Sequence, residues 1–162
     1  LTENVLEDAR DLVDLGCGRG DMVRAFNLSG IHAKGVDLSE KVGEFCTPHE
    51  AVQADLENDS LPFETDSFDA TFSKSVIEHL QDPLHLMRES YRILRPGGTA
   101  IFMTPSWAHN YRESFYLDHT HVTPFTRFSL CNALSISGFS APSVSYFRQL
   151  PFLWKWKILA PL

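Results

Sequence analysis

The sequence predicts an α/β fold, a doubly wound, mostly parallel sheet with helices on both faces, and three observations predict it. A short apolar stretch, Leu12-Val13-Asp14-Leu15, runs directly into glycines at alternate positions, Gly16, Gly18 and Gly20. Strand-like and helix-like stretches then alternate with loops of ordinary length, the pattern of parallel strands joined by crossover helices. Acidic residues, Asp37 and Asp55, close the second and third strand-like stretches, and open α/β sheets bind ligands outside the carboxyl ends of their strands.

Composition bounds the reading further. With 162 residues and 43% hydrophobic content, the chain can bury one sizeable core, so 1–162 reads as a single domain. A formal net charge of -7 argues against a general nucleic-acid surface, and duplex DNA is not an expected partner. Cys17, Cys46 and Cys131 are odd in number, widely spaced and without a CxxC pair, which fits a reducing, cytoplasmic location and neither a disulfide framework nor a thiolate zinc site. No signal peptide or membrane-spanning apolar run is present. The chain starts at Leu1 and ends in mid-pattern at Trp154-Lys155-Trp156-Lys157-Ile158-Leu159, which reads as a fragment truncated at both ends.

The elements follow in order. Residues 2–10 read as the tail of a helix leading into the first strand. After the glycines, Asp21 caps or charges a helix through Leu28, with Met22, Val23 and Phe26 inward and Ser29-Gly30 as its end. Ile31 to Val36 is the second strand, and a short helix is expected from Glu40 to Cys46. Ala51 to Ala54 is a third strand and Phe68 to Ser73 a fourth. Asp82-Pro83 is a cap and first-turn pair for a helix through Leu94, with Leu84, Met87, Tyr91 and Leu94 at helical spacing. Arg95-Pro96-Gly97-Gly98 ends that helix before a fifth strand, Thr99 to Met103. Ala108 to Thr123 is polar and aromatic without a clear element, so 104–125 reads as a substrate-side loop. Thr126 to Ser137 is a last helix, ended by Gly138-Phe139, and Pro142 to Leu150 a sixth strand. The tail from Pro151 packs as a last element or touches a membrane surface peripherally.

Glycines at Gly16 and Gly18 let the backbone approach a ligand with no Cβ in the way. A dinucleotide fingerprint needs a third glycine where Asp21 stands, and a carboxylate beside a pyrophosphate would repel it. No Gly-Lys-Ser/Thr follows, so a P-loop is excluded as well. A tight turn without ligand remains one reading. The other is a ligand with an adenosine-like ribose and base but no phosphate chain, with Asp37 accepting from the ribose hydroxyls, and S-adenosylmethionine meets that description.

Asp14-Leu15-Gly16-Cys17-Gly18-Arg19-Gly20, Gly35-Val36-Asp37-Leu38-Ser39, Ala54-Asp55-Leu56, Leu61-Pro62-Phe63, Ser67-Phe68-Asp69, Glu78-His79-Leu80-Gln81-Asp82-Pro83 and Leu94-Arg95-Pro96-Gly97-Gly98 stand in one order along the chain. In that order they resemble the landmarks of class I S-adenosylmethionine-dependent methyltransferases, of the group that includes ubiquinone-biosynthesis O-methyltransferases, which implies a Rossmann-like sheet. The resemblance implies a cofactor-binding set of Asp14, Gly16, Cys17, Gly18, Gly20, Asp37, Leu38, Asp55, Leu56 and Ser73. Asp14 would help hold the methionine amino group, Asp37 the ribose diol, and Asp55 the adenine amino group. The product would be S-adenosylhomocysteine.

Glu78, His79 and His121 are the candidate catalytic residues, a histidine near neutral pKa being a usable base for an oxygen nucleophile. His119 is a further candidate beside His121. The Glu-His pair with a later histidine also resembles metal-dependent small-RNA 2'-O-methyltransferases, but Ser75 stands where that pattern has its first acid. No metal is therefore assigned, and a mixed N/O divalent site at Glu78, His79 and His121 is kept as the alternative. Asp118 to Arg127 resembles methyltransferases acting on small-molecule and glycan or lipid-linked acceptors, whose pocket Tyr111, Phe115 and Tyr116 line or merely pack beside. The expected partner is such an acceptor; a non-catalytic cofactor-binding module is the reading from a different class.

Overall fold

A computed structural model of the chain describes residues 6–42, 44, 47, 50–110 and 115–146. Five strands, β1 (Asp11–Leu15), β2 (His32–Asp37), β3 (Ala51–Gln53), β4 (Phe68–Lys74) and β5 (Leu94–Met103), form one sheet in the order β3-β2-β1-β4-β5. Every pairing is parallel. Strand order therefore reverses at β1, and the carboxyl ends of β1 and β4 flank the switch point, the crevice where ligands bind in such sheets.

Helices cover both faces because β1 is apolar on both. Leu12, with Ala70 and Phe72 of β4, packs under Val23 and Phe26 of α1 (Asp21–Leu28). Val13 and Leu15 point the other way, toward Leu86, Met87 and Ile93 of α2 (Pro83–Ile93) and Leu130 of α4 (Arg127–Ile136). A short helix α3 (Trp107–Asn110) and a 3-10 turn, Phe115–Leu117, lie between β5 and α4. Gly35 belongs to this packing: a Cβ there would come within 2.5 Å of Cys17 Sγ and 2.9 Å of Val23, so only glycine lets the loop after β1 and helix α1 settle on β2.

Several elements differ from expectation. Asp21 charges the first turn of α1, one of its two expected roles, but does not cap it: Gly20, at φ 94°, occupies the cap. The buried stripe of α2 is Pro83, Leu86, Met87, Ser90 and Ile93, whereas Tyr91 is half exposed and stacks on Phe139. Ser90 is tolerated inside because its hydroxyl pairs with that of Thr71 at 2.7 Å. Leu94 already pairs with Phe68, and Arg95 to Gly98 bulge out before Ala70 meets Thr99, so β5 begins earlier than Thr99. Described residues between Glu40 and Cys46 form turns instead of a helix, and residues 142–146 are not strand. Cys46, Tyr111 and the tail from Pro151 lie outside the described residues. Among the described residues, no helix is long and apolar enough to cross a membrane.

Candidate active site

The glycine loop closes over the end of β1. Gly16 and Cys17 both donate to the Val36 carbonyl, at 2.8 and 3.0 Å, which binds the loop to β2. Gly16, Gly18 and Gly20 all have positive φ, 86°, 54° and 94°, a region costly for other residues. At Gly16 the close neighbour is protein, since a Cβ would collide with Val76. Gly18 differs: a Cβ there would meet nothing within 4 Å, so its exposed face borders open space.

Two carboxyls, Asp14 and Asp37, stand beside that loop. Asp14 is buried, 3% exposed, and its carboxyl is pushed up to about 7, chiefly by burial and further by the charge of Asp37, with Lys74 opposing. Asp37 accepts from Gly18 N at 2.7 Å and Ser39 N at 2.8 Å, one bond to each oxygen, so each oxygen keeps acceptor capacity. Leu38 beside it is 63% exposed, an apolar side chain offered to solvent at the rim. Asp55 binds its own turn, accepting from Glu57 N and the Asn58 amide at 2.9 Å, and the Asn58 bond is the main reason its pKa is lowered. Leu56 is in the core. Ser73, at the end of β4, has a buried hydroxyl with no hydrogen-bond partner.

From β4 the chain turns sharply. Ser75 takes φ 56°, and its N–H donates to the Met103 carbonyl, so strain is stored where the strand enters the crevice. One turn then runs from Val76, which abuts Gly16, to His79, whose N–H donates to the Val76 carbonyl. The glycine loop and the Glu78-His79 pair thus share one wall.

Described residues of the 104–125 segment, from Thr104 and from Phe115 to Thr123, meet the same wall. The Glu78 carbonyl accepts from Val122 N and Thr123 N, and the Leu80 carbonyl from the Thr123 hydroxyl at 2.6 Å. Glu78 is fully buried; the Thr104 hydroxyl donates to its Oε2 at 2.9 Å, and its Oε1 has no partner. His79 and His121 meet edge to face, ring centroids 4.7 Å apart. Nδ1 of His121 lies 2.7 Å from the Phe115 carbonyl, which can only accept. Thr120 spends its hydroxyl proton on Asp118 at 2.6 Å and so accepts from Nδ1 of His79 at 2.8 Å. Both rings therefore carry Nδ1–H in their neutral form and keep Nε2 as a bare lone pair.

Sequence reasoning named Glu78, His79 and His121, and the fold brings them together with their donor atoms within 4.8 Å of one another. His119 is not in that group. Thr104, Thr120, Asp118 and the Phe115 carbonyl, which orient the three, were missed. Phe115 is buried against Trp107 and His121, while Tyr116 is half exposed.

The methyltransferase domain family matches residues 13–102. A ubiquinone biosynthesis O-methyltransferase from Methylococcus capsulatus is 33% identical over 105 residues, 59% of this chain and 43% of that protein. A 27-O-demethylrifamycin SV methyltransferase from Amycolatopsis mediterranei is 31% identical over 97 residues, 54% of this chain and 35% of that one. The chain thus spans less than half the length of these curated relatives. An S-adenosylmethionine-dependent methyltransferase of known structure from Mesorhizobium loti superposes with a TM-score of 0.74 at 27% identity, over 94% of this chain and 84% of that one. With the sheet order, the glycine loop and the crevice acids, these matches place the chain in the methyltransferase domain family, with the fold of S-adenosylmethionine-dependent enzymes.

Proposed function

We propose that residues 1–162 act as one methyltransferase domain that methylates a hydroxyl of a small-molecule or glycan/lipid-linked acceptor, with 104–125 forming the acceptor side. The observation that carries this reading is the pair of imidazoles, His79 and His121, each tied through Nδ1 and bare at Nε2, on the wall that also holds the glycine loop.

The residues present fit S-adenosylmethionine. Open space borders Gly18, the carboxyls of Asp14 and Asp37 stand beside the loop with Lys74 near Asp14, and the unpaired Ser73 hydroxyl lies at the adjoining strand end. Gly16, Cys17, Gly18, Gly20 and Asp14 would hold the methionine end, Asp37 and Leu38 the ribose, Asp55 and Leu56 the adenine, with Ser73 between. When bound, the cofactor supplies a methyl already activated on a cationic sulfonium. What the chain must add is alignment of the acceptor and removal of its proton. Nε2 of His79 or His121 accepts that proton, Thr120-Asp118 and the Phe115 carbonyl stabilise the imidazolium that results, and Glu78 adds negative charge beside it. Relatives named as O-methyltransferases support an oxygen acceptor.

The test is S-adenosylhomocysteine formation across a panel of hydroxylated acceptors. His79→Ala should lower turnover by roughly a hundredfold or more, the usual contribution of a positioned base, with calorimetric affinity for S-adenosylhomocysteine unchanged. Unaltered turnover in that variant would remove His79 from the chemistry.

A further inference from the structure

We propose that Glu78, His79 and His121 form a binding site for a first-row divalent cation of the zinc type, on the acceptor side of the crevice. This deepens the reading of the same cluster and rests on its place beside the glycine loop: with the cation bound, the two Nε2 atoms are ligands and no longer take the acceptor's proton, and the cation would acidify the hydroxyl instead.

Three observations carry the proposal independently of any sequence pattern. First, one ligand atom from each residue lies within 4.8 Å of the others, and the three come from two segments that the fold stitches together at the Glu78 and Leu80 carbonyls. Second, both imidazoles are held in the same tautomer: Nδ1–H goes to the Phe115 carbonyl in one and to the Thr120 hydroxyl, backed by Asp118, in the other. Metal-bound histidines show this second layer, which fixes the ring and raises the basicity of the remaining nitrogen. Third, Glu78 is 0% exposed, its Oε2 is oriented by Thr104, and its Oε1 has no partner within the protein. A buried carboxyl oxygen left without a partner is unfavourable unless a proton or cation meets it.

Two imidazoles and one carboxylate are a mixed N/O set that suits zinc and its neighbours and leaves at least one position open. Metal–donor lengths of about 2.0–2.2 Å in a tetrahedral site require donors about 3.4 Å apart, so the cluster needs to close by an ångström or so, within reach of side-chain torsions. Magnesium and calcium, which prefer all-oxygen shells, are the wrong class. His121 Nε2 stands 3.9 Å from Asp118 Oδ2, beyond hydrogen-bonding distance, so that carboxylate does not hold a proton on Nε2. The open position accepts an oxygen ligand, the class to which an acceptor hydroxyl belongs.

The experiment titrates the chelator-treated chain, without methyl donor, with Co2+ followed by its visible absorption and with Zn2+ by competition. One equivalent should bind with nitrogen and oxygen ligation, and Mg2+ at the same concentration should not displace it. Glu78→Gln, which keeps the shape of the buried side chain, and His79→Ala, at a partly exposed position, should both abolish the spectrum while melting as cooperatively as the parent. Thr120→Val should weaken binding by about tenfold to a hundredfold by freeing the His79 tautomer. No bound Co2+, or the same affinity in Glu78→Gln and His79→Ala, overturns the site. Parent chain that binds no Co2+, with turnover lost in His79→Ala, rejects the site and leaves the base reading standing; Co2+ bound by the parent and lost in His79→Ala, with turnover normal in that variant, keeps the site and removes the base.

Discussion

The loop after β1 shows how much a single atom decides. Gly16 needs its missing Cβ because Val76 fills the space, whereas Gly18 faces open space and needs it for what approaches from outside. The two substitutions therefore separate folding from binding. Gly18→Val should fold, at a cost of about 1–2 kcal/mol for a side chain forced to φ 54°, yet lose most S-adenosylhomocysteine affinity by calorimetry. Retained affinity would mean that the cofactor does not cross this loop. Residues of this kind are legible in sequence, since glycine at alternate positions after an apolar strand has few other uses. The partners that orient the candidate base are not: Thr104 meets Glu78 and Thr120 meets His79 across gaps of sequence that no local pattern spans.

At the level of elements, helix α2 acts as a clamp on the loop between β3 and β4. Arg92 donates to the Leu61 and Phe63 carbonyls at 3.1 and 2.9 Å and pairs with Glu89, which itself accepts from Leu61 N. At the other end, Glu57 accepts from Gln81 N and Asp82 N, holding the start of α2 beside the strand-end turn of Asp55. Arg92→Ala should destabilise by about 1–3 kcal/mol, since two carbonyls and a half-buried carboxylate lose their donor, and urea unfolding should show it as a lower midpoint at constant slope. An unchanged midpoint would reduce this network to surface decoration. Helices α1, α2 and α4 were readable in extent because signals at their ends, such as Ser29-Gly30, Asp82-Pro83 and Gly138-Phe139, lie within each segment, whereas the buried stripe of α2 was not, being set by what packs on it. The bulge at Arg95 to Gly98 and the turns after Asp37 were not, because cross-strand pairing decides the first and the Asp37 carboxylate shapes the second.

For the molecule as a whole, the two acids in the crevice set a pH dependence. Asp14, with an ordinary value of 3.8, titrates near 7 in the folded chain because of burial and Asp37. An acid raised on folding favours the folded state while protonated, so that contribution is complete below about pH 4 and is lost as pH rises through about 7. Asp55, Asp69, Glu89 and Asp118 are lowered on folding and act the other way, but in the acid range at and below ordinary carboxylate values. The chain without cofactor should therefore lose stability between pH 5 and 7, and Asp14→Asn should flatten that slope in chemical denaturation; an equal slope in both would show that Asp14 ionises freely. The class of the fold was readable from alternating strands and helices, since each strand of a parallel sheet is followed by its own crossover. That same topology leaves no hairpin anywhere in the sheet, and β1 joins β4 through Leu12↔Ala70. During synthesis the central strand is made before both of its neighbours, β2 and β4, and one of its two edges stays bare until β4 has left the ribosome. For that interval its apolar residues and unpaired amides are available to any other chain, so the span from β1 to β4 is where a nascent copy most needs a chaperone.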